Sequence, residues 1–152
     1  MKKAQLGFSM IEILVASLVV GLVLTAISSA LIASTHNLAQ ARYEAAASKE
    51  AKKAMEVFVR EKVLLGWTRF ADAADTAATY CLNTLPLTSA DFRVMSEGTC
   101  LTETYEVAGE AFRREVGVQV VSGDEIKVTV TVSWQDGARD REAVLEQNFT
   151  NY

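Results

Sequence analysis

The sequence predicts an α+β fold in which the second half of a long N-terminal helix packs against a C-terminal antiparallel sheet of three or more strands. Two observations support this fold class. The chain has 152 residues and a single proline, Pro86, and its first part is rich in helix-forming side chains. Its last third contains REVGVQVV and KVTVTVSW, which alternate apolar and polar residues with the period of a strand.

The first element is an apolar segment that is long enough to cross a membrane. From Ile13 to Ala33 the chain carries no charged residue, and about 20 such residues span the hydrocarbon core. Lys2 and Lys3 precede the segment, which favours a cytoplasmic N-terminus. Glu12 is the only charged residue between Ala4 and Ala41, and this isolated carboxylate requires an explanation.

The helix is expected to continue beyond the membrane as an amphipathic segment. Between Leu38 and Leu65 there is neither glycine nor proline, and Gly66 is the predicted stop. Apolar residues recur there at helical spacing, with Glu61 interrupting the seam; they are Ala47, Ala51, Ala54, Phe58 and Leu65. The charged residues expected to face water are Glu50, Lys53, Glu56, Arg60 and Lys62.

Three strands are predicted to cover this helix. The turn SGDE joins the two alternating segments, and the Asp-Gly turn in QDGARD leads into a third strand, REAVLEQNF. Ala143, Leu145 and Gln147 would share one face of that third strand. The predicted sheet core consists of Val116, Val118, Val120, Val128, Val130 and Val132.

The segment between helix and sheet, residues 67–112, is expected to hold loops, a short helical piece near Phe70 to Thr79 and a short strand near Thr102 to Val107. It contains both cysteines. Because the predicted orientation places Cys81 and Cys100 outside the cytoplasm, we expect a disulfide between them, the alternative being two unpaired thiols. Their spacing is not that of a zinc site.

Composition and motifs argue against several functions. The net charge of -4 disfavours nucleic-acid binding, and no nucleophile elbow, phosphate loop or C-x-x-C motif is present, so no catalytic residue is predicted. His36 is interpreted as a solvated helix residue. The acidic residues near the two hairpin turns are interpreted as solvated rather than as a calcium site, so neither a metal nor another cofactor is expected; they are Asp124, Glu125, Asp136, Asp140 and Glu142.

The stretch KKAQLGFSMIEILVASLVVGLVL resembles the class III leader and first helix of type IV pilin-like proteins, the pilins, minor pilins and pseudopilins of type II secretion. Gly7 matches the end of the leader, Phe8 the first mature residue and Glu12 the fifth. The resemblance implies cleavage between Gly7 and Phe8 by a prepilin peptidase and N-methylation of Phe8. Because an unpaired carboxylate is costly in an apolar filament core, Glu12 is expected to set subunit register during assembly by pairing with the N-terminal amine of a neighbour. The resemblance also implies a pilin fold, inner-membrane lipids as the first environment, an assembly platform in that membrane, and a helical filament shared with other pilins or pseudopilins.

The tail VTVSWQDGARDREAVLEQNF is similar to the closing strands of PilV-type minor pilins and I-type minor pseudopilins. The expected divisions are the leader 1–7, the membrane and assembly helix 8–37, the amphipathic helix 38–66, the variable region 67–112 and the sheet 113–152. The implied role is to help initiate or cap a filament, with the protein single-pass in the bacterial inner membrane before assembly and in a periplasmic or extracellular filament afterwards.

Two other interpretations of the N-terminus and one alternative function stay open on the residues alone. A secretory signal peptide would be removed near residues 39–41, but the apolar run is long for one. A plain signal anchor explains everything except Glu12. The alternative function is that of a membrane-anchored extracytoplasmic binding domain that never polymerises.

Overall fold

The computed structural model describes residues 10–74, 78–107 and 109–151. Gly7 and Phe8 lie outside the described residues. The chain divides between Gln40 and Ala41 into two compact units. The first unit consists of helix alone, and the second, the head domain, contains a sheet and three helical segments.

Helix α1 is a single α-helix of 56 residues, Met10–Leu65. One glycine, Gly21, and no proline lies within it, so its backbone hydrogen bonds are not interrupted. The helix ends before Gly66, as the sequence predicts. Gly66 takes a φ of 72°, a conformation that glycine adopts at little cost, and its backbone N–H donates to the Lys62 carbonyl at 3.1 Å.

The segment after α1 is more ordered than a set of loops. Helix α2 spans Trp67–Ala73, slightly earlier than predicted. The short strand β1, Thr79–Cys81, and helix α3, Ser89–Arg93, were not predicted. Strand β2 is Tyr105–Val107, which lies inside the predicted range.

Three long strands complete the head domain. Strand β3 is Glu110–Ser122, β4 is Glu125–Asp136 and β5 is Arg139–Thr150, so each predicted strand is present and longer than expected. Within the described residues the sheet is antiparallel and has five strands in the order β1-β3-β4-β5, with β2 also pairing with β3. Gly137, with a φ of 64°, supports the tight turn between β4 and β5.

The core of the head domain lies between the second half of α1 and one face of the sheet. On α1 the buried apolar side chains include Ala47, Ala51, Ala54 and Phe58. The sheet contributes Val116, Val118, Val128, Val130 and Val132, as predicted. The prediction for Val120 was wrong, because it is 41% exposed beside a register irregularity between Val120 and Ser122.

An aromatic cluster ties the helical segments to this core. Phe92 of α3 packs edge-on against Phe58 of α1, with ring centroids 5.2 Å apart, and stacks on Phe70 of α2 at 6.1 Å. Phe70 also lies 5.5 Å from Phe149 of β5. All four rings are buried, so α2 and α3 belong to the same core as the sheet.

Candidate functional site: the apolar helix and the head domain

Glu12 lies in the first turn of α1 as the structure describes it, and its side chain is exposed. Between Met10 and Gln40 it is the only ionisable side chain apart from His36, which is also exposed. A carboxylate in the first turn is favoured by the helix dipole, but in an apolar environment it still requires a cation or hydrogen-bond donors.

From Met10 onward the helix surface next to Glu12 is predominantly apolar. The large apolar side chains from Met10 to Ile32 are all at least half exposed, from 51% at Val19 to 84% at Met10. A helix that is hydrophobic all round is stable where lipid or other apolar helices surround it. This is the single described helix that is long and apolar enough to cross a membrane.

Five hydroxyl groups of this segment form hydrogen bonds within the helix itself. Ser17, Thr25, Ser28, Ser29 and Thr35 each donate to a carbonyl three or four residues earlier, at 2.9 Å. Such back-bonding removes the need for water, which is the condition for burial in lipid. Glu12, a carboxylate in the same helix, has no hydrogen-bond or ion-pair partner among the described residues.

The head domain contains a buried ion pair that joins α1 to β3. Arg114 is 2% exposed, and its Nη1 lies 2.9 Å from Oε2 of Glu50, which is also buried. The expectation that Glu50 faces water was wrong. Glu50 shares the helical seam of Ala47, Ala51 and Ala54, which faces the sheet, so its carboxylate meets a cation there rather than solvent.

The remaining donors of Arg114 hold the chain that follows β1. Its Nε donates to the Leu82 carbonyl at 2.7 Å, and its Nη2 donates to the Asn83 carbonyl at 3.0 Å. The guanidinium also lies 4.8 Å from the ring centre of Tyr105, a cation–π distance. Arg114 of β3 thus contacts α1, β2 and the chain that follows β1. The cost of burying its charge is offset because each of its side-chain nitrogens has a partner.

Sequence reasoning missed this pair, although a signal was present. Arg114 interrupts the inward-facing series Phe112, Val116 and Val118 with a period of two, and Glu50 interrupts the helical seam. Two opposite charges on faces that must meet predict a buried pair. Burial raises the pKa of the half-buried Tyr105 to about 12, an effect that nearby Arg114 opposes and Glu50 reinforces.

Glu61, the predicted interruption of the seam, is fully buried. Its Oε1 lies 2.7 Å from Nη2 of Arg60, which also donates to the Pro86 carbonyl at 3.1 Å. Its Oε2 has no hydrogen-bond partner within the described residues. Arg60 therefore covers one side of the carboxylate and ties α1 to the chain before α3.

Cys81 and Cys100 form a disulfide, with their Cα atoms 4.8 Å apart. The bridge closes the segment that includes α3 and connects it to β1. The Cys100 backbone N–H also donates to Glu115 at 2.7 Å, and Asn83 donates to the Glu103 carbonyl at 2.8 Å. The segment is therefore held at both ends by β1 and β3.

The acidic turn residues do not converge. Asp124 and Glu125 lie at one end of β4 and bond to Asn151 and Asn148, whereas Asp136 lies at the other end, 3.7 Å from Arg141. No group of three or more potential metal ligands occurs within residues 10–74, 78–107 and 109–151. The structure thus separates the carboxylates that sequence reasoning considered together.

The comparisons with known proteins concern the N-terminus. Residues 2–28 match the family model of the prokaryotic N-terminal methylation motif. No curated protein and no solved structure matches the chain. The matched segment includes Gly7, Phe8 and Glu12 and leads into the apolar half of α1, while the other half of α1 packs on the antiparallel sheet in a pilin-like architecture. This combination supports a structural subunit of the type IV pilin-like family.

Proposed function

We propose that the protein is a minor pilin or pseudopilin that helps to initiate or cap a type IV pilus-like filament. In this proposal a prepilin peptidase cleaves between Gly7 and Phe8 and methylates the new N-terminus. The protein is held in the bacterial inner membrane by α1, N-terminus in the cytoplasm, until it enters the filament as a non-enzymatic subunit.

One observation carries the proposal: a carboxylate without a described partner lies at the start of a helix whose five described hydroxyl bonds are all internal. After cleavage, Phe8 would bear a methylated cationic amine, and Glu12 follows four residues later. In an assembled core as apolar as lipid, an unpaired carboxylate costs several kcal/mol. A subunit at the correct axial position pairs Glu12 with the amine of a neighbour, and a misplaced subunit does not.

The test is incorporation of Glu12 variants into filaments sheared from the native host. Glu12→Ala is expected to be cleaved and to stay in the membrane, but to be depleted from filaments more than tenfold, because 1.4 kcal/mol already corresponds to a factor of ten. Glu12→Asp should be intermediate, since the charge is kept with a shorter reach. Ser17→Ala is the matched control on the same helix, and it should be incorporated normally.

Two results would contradict the proposal. If Glu12→Ala enters filaments at the wild-type level, register is set by contacts of the head domain instead. If the wild-type protein is absent from filaments while remaining in the membrane, the protein is an anchored binding domain that does not polymerise.

A further inference from the structure

Strand β5 has an outer edge that no strand pairs with among the residues that the structure describes. The edge spans twelve residues, Arg139–Thr150, without a proline and without a bulge in its register with β4. Proline residues and bulges are two features by which proteins commonly prevent an exposed edge from pairing with another strand. Of the protective features of this kind, the edge of β5 has only charged side chains.

The hydrogen-bond pattern identifies which residues face outward. The Asn151 backbone N–H donates to the Asp124 carbonyl at 3.0 Å, in line with the β4–β5 register. Because bonded pairs alternate along an antiparallel ladder, odd-numbered residues of β5 bond to β4. Even-numbered residues therefore turn their backbone N–H and C=O groups towards the open edge.

The side chains of these outward-bonding residues lie on the solvent face of the sheet, and three of the five from Asp140 to Asn148 are acidic. Asp140, Glu142, Val144, Glu146 and Asn148 are all exposed. Glu146 is paired with Lys127 of β4 at 2.8 Å, and the row itself contains three carboxylates and no cation. A strand that pairs with this edge would be favoured by basic residues at alternate positions.

The opposite face of the same edge opens onto a groove with both apolar and polar lining residues. The groove has a volume of about 480 Å³ and lies between the last turns of α1 and the end of β5. On the helical side the lining includes Val59, Lys62, Val63 and Trp67, and on the strand side it includes Gln147 and Phe149. Val63 is 78% exposed, so apolar surface is available to an incoming side chain.

We propose that the β5 edge and this groove together form a docking site for an extended segment of another protein in which basic and apolar residues alternate. The backbone of the segment would extend the sheet by one strand. Its basic side chains would face Asp140, Glu142 and Glu146, and its apolar side chains would enter the groove towards Val59 and Val63. A second copy of this chain is disfavoured as the occupant, because two acidic edges would repel each other.

The experiment measures peptide binding to the full chain in detergent micelles by fluorescence anisotropy. The probe is a labelled peptide of about eleven residues with alternating lysine and valine, long enough to pair with β5 from Asp140 to the groove. One control peptide has the same composition in two blocks, and a second replaces each lysine by glutamate. The alternating basic peptide is expected to bind at least tenfold more tightly than either control. Equal binding of the block peptide would reduce the effect to charge alone and overturn the proposal.

Variants of the edge separate docking from general attraction. Val144→Pro removes an outward N–H and no bond to β4, and it should weaken binding about tenfold, whereas Val144→Thr keeps the N–H and should bind normally. Glu142→Lys should shift the preference towards the glutamate peptide, which keeps the test informative if the proline variant does not fold. Wild-type affinity in Glu142→Lys would overturn the proposal. So would a concentration-dependent dimer that Val144→Pro abolishes, since it would assign the edge to a second copy.

Discussion

At the scale of single residues, Arg114 illustrates how much a buried charge depends on its partners. Its guanidinium compensates Glu50 and also two carbonyl groups of the chain after β1. The ion pair is weak evidence for net stability, because an apolar pair of similar volume often serves as well. Removing one partner alone is different, since the other charge is left buried.

We therefore expect Arg114→Ala to lower the free energy of unfolding by about 3–5 kcal/mol. The double variant Glu50→Leu/Arg114→Met should lose much less, because no unpaired charge remains. Denaturant titration of the full chain in detergent measures both values. Equal losses in the single and double variants would show that the carbonyl contacts, and not the charge on Glu50, determine the cost.

Tyr105 gives a second prediction at this scale, in the alkaline range. Its pKa rises from 10.0 to about 12 in the folded protein because burial disfavours the phenolate. Between these pH values Tyr105 keeps its phenol proton in the folded state and loses it in the unfolded state. Its contribution to the free energy of unfolding is therefore full below pH 10 and decreases as the pH rises to 12. Screening at this half-buried site limits the loss to about 1 kcal/mol.

The control is Tyr105→Phe, compared with wild type at each pH because other groups also titrate there. The Tyr105 hydroxyl is buried and has no hydrogen-bond partner in the described chain, so the variant should be no less stable at pH 7. The difference in unfolding free energy between the two proteins should grow in favour of phenylalanine above pH 10. A constant difference would show that Tyr105 titrates normally.

At the scale of elements, the segment from Cys81 to Cys100 is closed by one disulfide. Removing the bridge between Cys81 and Cys100, whose sequence separation is 19, should cost about 3 kcal/mol by the chain-entropy estimate. The expected observation is that the exported protein reacts with a thiol-labelling reagent only after reduction. Cys81→Ser should lower abundance through proteolysis. Two thiols that label without reduction would contradict this element of the account.

The elements differ in how far the sequence predicts them. The long strands were predictable because valine alternates over many residues at positions such as Val128, Val130 and Val132. Strand β1 has three residues, too few to show a period, and it exists because β3 offers it a partner. Helix α3 carried an unused local signal: Thr88 and Asp91 form a capping box, in which Asp91 bonds to the Thr88 backbone N–H at 3.0 Å.

The residues of the candidate site also differ in how far the sequence predicts them. Glu12 was recognisable because one charge in a long apolar run is anomalous without any structure. The Glu50–Arg114 pair required knowledge of which faces meet, and the groove beside β5 depends on contacts between residues far apart in sequence. Local patterns reveal local anomalies, whereas tertiary contacts decide which charges are buried and which edges stay open.

At the scale of the whole molecule, the two units have different surfaces. Residues 10–40 present apolar side chains on all sides, which requires lipid or other apolar helices. Residues 41–151 have their own core of aromatic and valine side chains and a polar outer sheet face. This division, together with the methylation motif at residues 2–28, indicates membrane anchoring through the first unit. Under the proposed function, filament assembly also gives Glu12 a role.

The most direct test of this account is the mass of the N-terminal peptide of the protein purified from its native host. The account predicts a chain that starts at Phe8 and carries an N-methyl group there, after cleavage behind Gly7. A chain that still starts at Met1, or one that starts between Thr35 and Arg42 after removal of a signal peptide, would contradict it.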